Sequence, residues 1–232
     1  FTEEERSRRP SVFSALRALV GVFFHAEEPH LGLYGAFGYD LAFQFEPIEQ
    51  VLPRDPEDRD LVLHLPDEII VHDRKREICQ RYSYDFTLPE ELRGPAGATT
   101  RGLPRRTEPT PPVTPAAEVP PQPEPGSYAR IVAEAKERFR RGDLFEVVPS
   151  HRLYAPCASP ARFYERLRER NPAPYEFFLN LGEGEYLVGA SPEMFVRVTG
   201  RPGEGQRVET CPISGTIKRG ADAVGDAENI KE

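Results

Sequence analysis

Residues 171–198 read NPAPYEFFLNLGEGEYLVGASPEMFVRV, and the order of elements in and around this stretch decides the fold class. Tyr175 to Leu181, Tyr186 to Gly189 and Met194 to Val198 are short β-rich runs, and Arg207 to Thr210 adds another. Pro172 and Pro174 stiffen the bend into the first run, because proline fixes its own φ and pushes the preceding residue to extended backbone. Upstream, Ile131, Ala135 and Phe139 form one stripe of a helix over Tyr128 to Arg141, with Ser127 as N-cap and Gly142 as stop. Leu144 to Val148 then reads as a strand and Ser159 to Arg170 as a second helix. Helix, strand, helix and several consecutive strands imply an α+β fold with a largely antiparallel sheet.

Toward the N-terminus, Val12, Leu16, Leu19, Val20 and Phe23 fall at helical spacing after Ser11, which predicts an amphipathic helix over Val12 to Phe24 that packs on a sheet. Leu31 to Pro47 reads LGLYGAFGYDLAFQFEP, a strand in which glycines allow close backbone approach and Tyr34, Phe37 and Phe43 belong to the sheet core. Glu68 to Val71 and Ile78 to Phe86 form a hairpin across the polar tip Asp73-Arg74-Lys75-Arg76. Ten prolines then fall between Pro95 and Pro125, and no aromatic residue occurs between Phe86 and Tyr128. Such a segment buries too little apolar surface to offset the entropy of ordering, so it reads as a mobile linker or insertion. The resulting division is 1–92, a linker at 93–126, and 127–232.

With 232 residues, 38% hydrophobic and 29% charged, the chain is long enough to bury a core. A formal charge of -8 argues against a general electrostatic grip on nucleic acid, which needs clustered Lys and Arg. Arg138-Phe139-Arg140-Arg141 is basic but flanked by acids, and reads as a solvated helix face. No apolar run approaches the roughly 18 residues of a membrane span, so no membrane is expected and the cytoplasm is the expected compartment. Cys79, Cys157 and Cys211 are odd in number and far apart, which indicates reduced thiols, with Cys211 a small buried side chain. His64 and His72 have no second His at metal spacing. Beginning at Phe1 and stopping at Glu232 in an apparent helix, the chain is expected to be a piece of a longer polypeptide, incomplete at both ends.

Four motifs stand in one register: Phe145-Glu146-Val147-Val148-Pro149-Ser150, Asn171-Pro172-Ala173-Pro174-Tyr175, Gly189-Ala190-Ser191-Pro192-Glu193 and Pro212-Ile213-Ser214-Gly215-Thr216. In order and rough spacing they resemble the chorismate-utilising enzymes, above all the synthase component of anthranilate synthase. The Gly-Tyr-Asp at Gly38-Tyr39-Asp40 resembles the same family. The resemblance implies a two-sheet α/β sandwich with helices outside. It also implies conversion of chorismate and ammonia to anthranilate and pyruvate in tryptophan biosynthesis, with Mg as cofactor. The ammonia would come from a glutamine amidotransferase, either fused or a separate subunit, in an oligomer.

Read alone, Glu193 is a strand-edge carboxylate, though one displayed at a sharp bend is suited to acid or base work. The resemblance makes it the catalytic group that protonates the hydroxyl leaving the chorismate ring. Gly215 and Thr216 alone read as a tight turn; the resemblance makes both chorismate-binding, and Thr216 catalytic as well. Ser214 stands where aminodeoxychorismate synthases place a nucleophilic Lys, and Glu146 where isochorismate synthases place a general-base Lys, so both departures favour ammonia as the attacker. Glu146 itself reads as a strand Glu. The Asn171–Tyr175 motif implies a regulatory tryptophan site at Pro174, Tyr175 and Glu176. Two departures bear on it: Glu176 replaces the usual Met, and the Leu-Leu-Glu-Ser motif is absent. The Mg ligands are expected beyond residue 232. Asp226, Glu228 and Glu232 read as a solvated helix start, and no metal residue is assigned. Two other readings remain: an aminodeoxyisochorismate-type synthase of a phenazine-like pathway, and a non-catalytic scaffold that binds an amidotransferase.

Overall fold

The computed structural model describes residues 5, 9–46, 48–51, 53–55, 58–92, 99–105, 118–200, 205–213 and 217–231. The chain forms two compact units, Phe1–Pro109 together with Glu193–Glu232, and Thr110–Pro192. Every strand pair among the described residues is antiparallel, and the strands form two-stranded sheets. The α+β reading with antiparallel pairing therefore holds at the level of hairpins, while a two-sheet sandwich is a larger arrangement than these hairpins display.

In the first unit, helix α1 (Val12–Phe23) starts where predicted, with the Ser11 N–H donating to the Ser14 hydroxyl at 3.2 Å. Its Phe13 lies 5.7 Å from the Phe37 ring and 5.8 Å from Phe45, and its Phe23 meets Phe86 edge-on at 5.2 Å. Strand β1 (Tyr34–Phe37) pairs with β2 (Leu61–His64). A Cβ at Gly35 would overlap the Val62 carbonyl, so the close approach expected of these glycines is met there. The long strand predicted over Leu31 to Pro47 is shorter than expected, because a 3-10 turn takes over at Tyr39–Gln44. Tyr34 and Phe37 stay about half exposed, and the buried position is Leu41 on that turn, not the aromatic row.

The loop back to β2 is closed by Arg54, which pairs with Asp60 at 2.7 Å and Asp40 at 3.3 Å and donates to the Asp58 carbonyl. The hydrogen bond to Asp60, reinforced by the charges of Asp60, Asp40 and Asp58, holds the guanidinium pKa above its ordinary value. The predicted hairpin is present as β3 (Glu68–Asp73) and β4 (Ile78–Ser83). Asp73 Oδ1 accepts from the N–H groups of Lys75 and Arg76, both at 3.0 Å, so the basic tip is an Asp-closed turn. Part of the proline-rich interval is anchored to this hairpin. The Phe86 N–H donates to Thr100 Oγ1 at 2.8 Å, and Arg105 pairs with Asp67 at 3.4 Å and Asp85 at 3.6 Å.

In the second unit, helix α2 (Ser127–Arg141) ends at Gly142, whose φ of 78° suits glycine. The N-cap is Gly126 rather than Ser127: Ser127 is already helical, and its hydroxyl donates back to the Glu124 carbonyl. The arginines at the end of α2 pair locally with Glu134, Glu137 and Asp143, as a solvated face does. Leu144 to Val148 is not a strand, for no ladder partner meets it among the described residues, and Phe145 is 99% exposed. Hydrophobic content without a partner does not make a sheet.

Helix α3 (Pro160–Arg170) is capped by Ser159 Oγ, which accepts from the Arg162 N–H, with Pro160 at the favoured first position. It packs on strands β5 (Tyr175–Gly182) and β6 (Glu185–Ser191), which pair from Tyr175 with Ser191 to Gly182 with Glu185. Tyr164, Phe178 and Tyr186 form a row with successive ring centres 5.7 Å apart. The tight turn has positive φ at Glu183 (55°) and Gly184, the handedness that matches strand twist. On the other face of β5, Phe177 fills the space where a Cβ of Gly189 would sit. Leu181, at the end of β5, is buried.

Candidate active site

Glu193 and the segment around residues 211–216 belong to the first unit. Strands β7 (Arg197–Thr199) and β8 (Arg207–Glu209) pair Arg197 with Glu209, Val198 with Val208 and Thr199 with Arg207. The strand expected from Met194 is thus confined to its C-terminal end. Continued four residues outward, the same register sets Glu193 opposite Ile213. There a side chain takes the place of a ladder bond: Glu193 Oε1 accepts from the Ile213 N–H at 3.1 Å. Between the two, the Thr210 hydroxyl donates to the Phe195 carbonyl at 2.8 Å.

Downstream of Thr216 the main chain is held from helix α4 (Ala223–Asn229). Asn229 Nδ2 donates to the Lys218 carbonyl at 2.9 Å, the Gly220 N–H donates to Asp226 Oδ1 at 2.8 Å, and Arg219 pairs with Asp226 at 3.0 Å. Asp226 is therefore a structural acceptor and not the solvated acid expected of it. A Cβ at Gly220 would overlap the main chain of Gly225, so this return requires glycine. Ile213 on one side of residues 214–216, and Lys218 and Gly220 on the other, are thus held by hydrogen bonds. Ser214, Gly215 and Thr216 lie outside the described residues, as does Glu232.

Pro174 precedes β5 in the second unit, and Tyr175 and Glu176 open it. Tyr175 pairs with Ser191. Glu176 uses both oxygens: Oε2 accepts from Arg168 Nε at 2.8 Å and Oε1 from the Ala173 N–H at 3.3 Å. Arg168 in turn lies 5.5 Å over the Tyr164 ring. This half-buried carboxylate closes the corner between α3 and β5, which explains a Glu there structurally. Glu146 is exposed and outside any strand, and Cys211 is exposed rather than buried. Among the described residues no three His, Cys, Asp or Glu side chains converge as a metal site. No described helix is long and apolar enough to cross a membrane. A small apolar cavity lies beside α1, lined by Leu19, Val20, Phe23, Leu31, Leu33 and Leu65.

The family model described as chorismate binding enzyme matches residues 2–232. The chain belongs to the chorismate binding enzyme family. It is 53% identical over 230 residues to the anthranilate synthase of Azospirillum brasilense, covering 98% of this chain and 30% of that protein. It is 35% identical over 233 residues to the pyocyanine-specific anthranilate synthase component 1 of Pseudomonas aeruginosa, covering 94% of this chain and 42% of that protein. Anthranilate synthase component 1 of Vibrio cholerae is 32% identical over 233 residues, covering 97% and 44%. The chain thus spans between about a third and somewhat under half of these relatives. No solved structure matches it.

For a chorismate binding enzyme the informative result is which groups hold the motif residues in place. Thr210, Arg168 and Asn229 were not singled out from sequence, and Asp226 was read only as a solvated acid. Arg168 carried a signal, since it lies four residues after Tyr164 on α3 and shares its face. Thr210 carried one only in retrospect, through the register of β7 and β8.

Proposed function

We propose that this chain is part of the synthase portion of an anthranilate synthase, in which ammonia adds to the chorismate ring with loss of water and pyruvate is then eliminated. Glu193 is the acid that delivers a proton to the departing hydroxyl, and Gly215 and Thr216 bind chorismate, with the Thr216 hydroxyl assisting the chemistry. The observation that carries this reading is the bond between Glu193 Oε1 and the Ile213 N–H, which joins two motifs twenty residues apart. A carboxyl oriented by the main chain spends less of its reach on disorder, and orientation is a large part of catalytic advantage.

The rest of the proposal follows from family membership and the similarity to anthranilate synthases. The hairpins are portions of a two-sheet sandwich, with residues 1–92 and 127–232 contributing to it and 93–126 looping out. A glutamine amidotransferase domain or subunit supplies ammonia, the assembly is oligomeric, and the compartment is the cytoplasm. Pro174, Tyr175 and Glu176 are the residues that respond to tryptophan as feedback inhibitor. Mg belongs to the family's chemistry, but the described residues here do not build a site for it. Its ligands lie beyond residue 232.

The full-length protein supplied with chorismate, Mg and ammonium is expected to yield fluorescent anthranilate together with pyruvate. A non-aromatic amino product without pyruvate would identify an aminodeoxyisochorismate-type synthase, and no turnover would identify a scaffold. Glu193→Gln is expected to lower kcat by about 100-fold or more, the usual worth of a positioned acid, while chorismate binding stays within a few-fold. Near-full activity of this variant would overturn the assignment of Glu193.

A further inference from the structure

We propose that Thr210 is a positioning residue for the Glu193 carboxyl, acting through the strand pair that sets Glu193 opposite Ile213; this rests on the reading of Glu193 as the acid. The main-chain ladder of β7 and β8 stops at Arg197 and Glu209. Pro192 and Pro212 flank the next stretch, and neither has an N–H to donate. Beyond the ladder, two side-chain bonds bridge the described residues: the Thr210 hydroxyl to the Phe195 carbonyl at 2.8 Å, then Glu193 to the Ile213 N–H at 3.1 Å. Thr210 thus lies between the regular sheet and the functional carboxyl, where its hydroxyl decides whether the two strands stay in step.

Phe195 is 89% exposed and Ile213 50% exposed, so apolar packing within the described residues does not substitute for that bond. A hydroxyl at this position therefore acts on orientation more than on stability. Displacement of a catalytic group by about 1 Å is enough to cost up to about 100-fold in rate. The Thr210 hydroxyl bonds to the Phe195 carbonyl and not to the Glu193 carboxyl, so its effect passes to Glu193 through the strand.

The test uses the full-length protein with chorismate, Mg and ammonium. Thr210→Val, which keeps the branched shape and removes the hydroxyl, is expected to lower kcat about 10-fold with KM for chorismate within about twofold. Thr210→Ser is expected to restore kcat to within about twofold of the parent. In a Glu193→Gln background, Thr210→Val should cost less than about twofold more, because the group it positions is already gone. Melting temperature is read for each variant, and Thr210→Ala replaces Thr210→Val should the latter not fold. An unchanged kcat in Thr210→Val, a Ser variant as slow as the Val variant, or the full 10-fold loss repeated in the Glu193→Gln background would each overturn the role of Thr210. Near-full activity of Glu193→Gln alone would instead remove the assignment of Glu193, and the positioning role with it.

Discussion

The α3–β5–β6 layer and the β7–β8 corner are both built on a short antiparallel hairpin, yet different forces hold them. In the first, Tyr164 on the helix and Phe178 and Tyr186 on the strands form a row of tilted rings, and the half-buried carboxylate Glu176 is matched by Arg168. In the second, Phe195, Val208 and Ile213 keep half or more of their surface exposed, and the geometry rests on Thr210, Glu193 and Asp226 as hydrogen-bonding groups. Packing defines the layer and directional bonds define the corner. A catalytic group gains from the latter, because a hydrogen bond sets an angle as well as a distance.

The sharpest way to break this contrast is to cut into the row of rings. Phe178→Ala in the full-length protein is expected to cost about 3 kcal/mol by denaturant titration, as large-to-small changes at aromatic positions do, while KM for chorismate stays unchanged in the protein that remains folded. A stability loss under about 1 kcal/mol would mean that α3 is held chiefly by its polar contacts and that the contrast is false. A smaller effect is expected at the start of the same helix. Ser159→Ala removes the acceptor of the Arg162 N–H and should cost about 1 kcal/mol, with Ser159→Asp retaining the parent value.

The smallest effect lies in the first unit and shows up only at alkaline pH. Partial burial, with the charge and hydrogen bond of Glu28 added, raises the Tyr84 phenol pKa above its ordinary 10.0. A raised folded value means that the folded chain keeps the proton longer than the unfolded one. This contribution is therefore full below the unfolded pKa and is lost as pH climbs through the folded value. Tyr84→Phe should flatten the fall in denaturation midpoint as pH rises above about 10; an unchanged slope would place the alkaline sensitivity elsewhere.

Sequence reading succeeded where burial imposes a period and failed where it does not. Helix α3, with Ser159 before Pro160 and two prolines after Asn171, was marked at both ends by residues whose backbone preferences leave little choice. β5, β6 and the β3–β4 hairpin were legible for the same reason. Leu144 to Val148 looked like a strand because its residues favour extended backbone, but a strand also needs a neighbour, which local composition cannot report. Cys211 and the Tyr34–Phe37 aromatics were placed inside on hydrophobicity alone, although such residues also occupy surfaces. In the candidate site the motifs pointed to Glu193, which the structure bonds to the Ile213 N–H, while Thr210 left no mark in the sequence and Asp226 read only as a solvated acid. A hydroxyl or carboxylate that bonds to main chain leaves no periodic trace.

Gln122 does for the proline-rich interval what no proline can. Its side-chain amide donates to the Tyr154 carbonyl at 2.5 Å and accepts from the Tyr154 N–H at 3.2 Å, copying with one residue the paired exchange of an antiparallel bridge. An amide does not titrate and carries no net charge, so this clasp should be indifferent to acidity and ionic strength. Where the salt-sensitive pairs of Arg105 tether one part of the interval, Gln122 offers the other a fastening that survives when those pairs are screened.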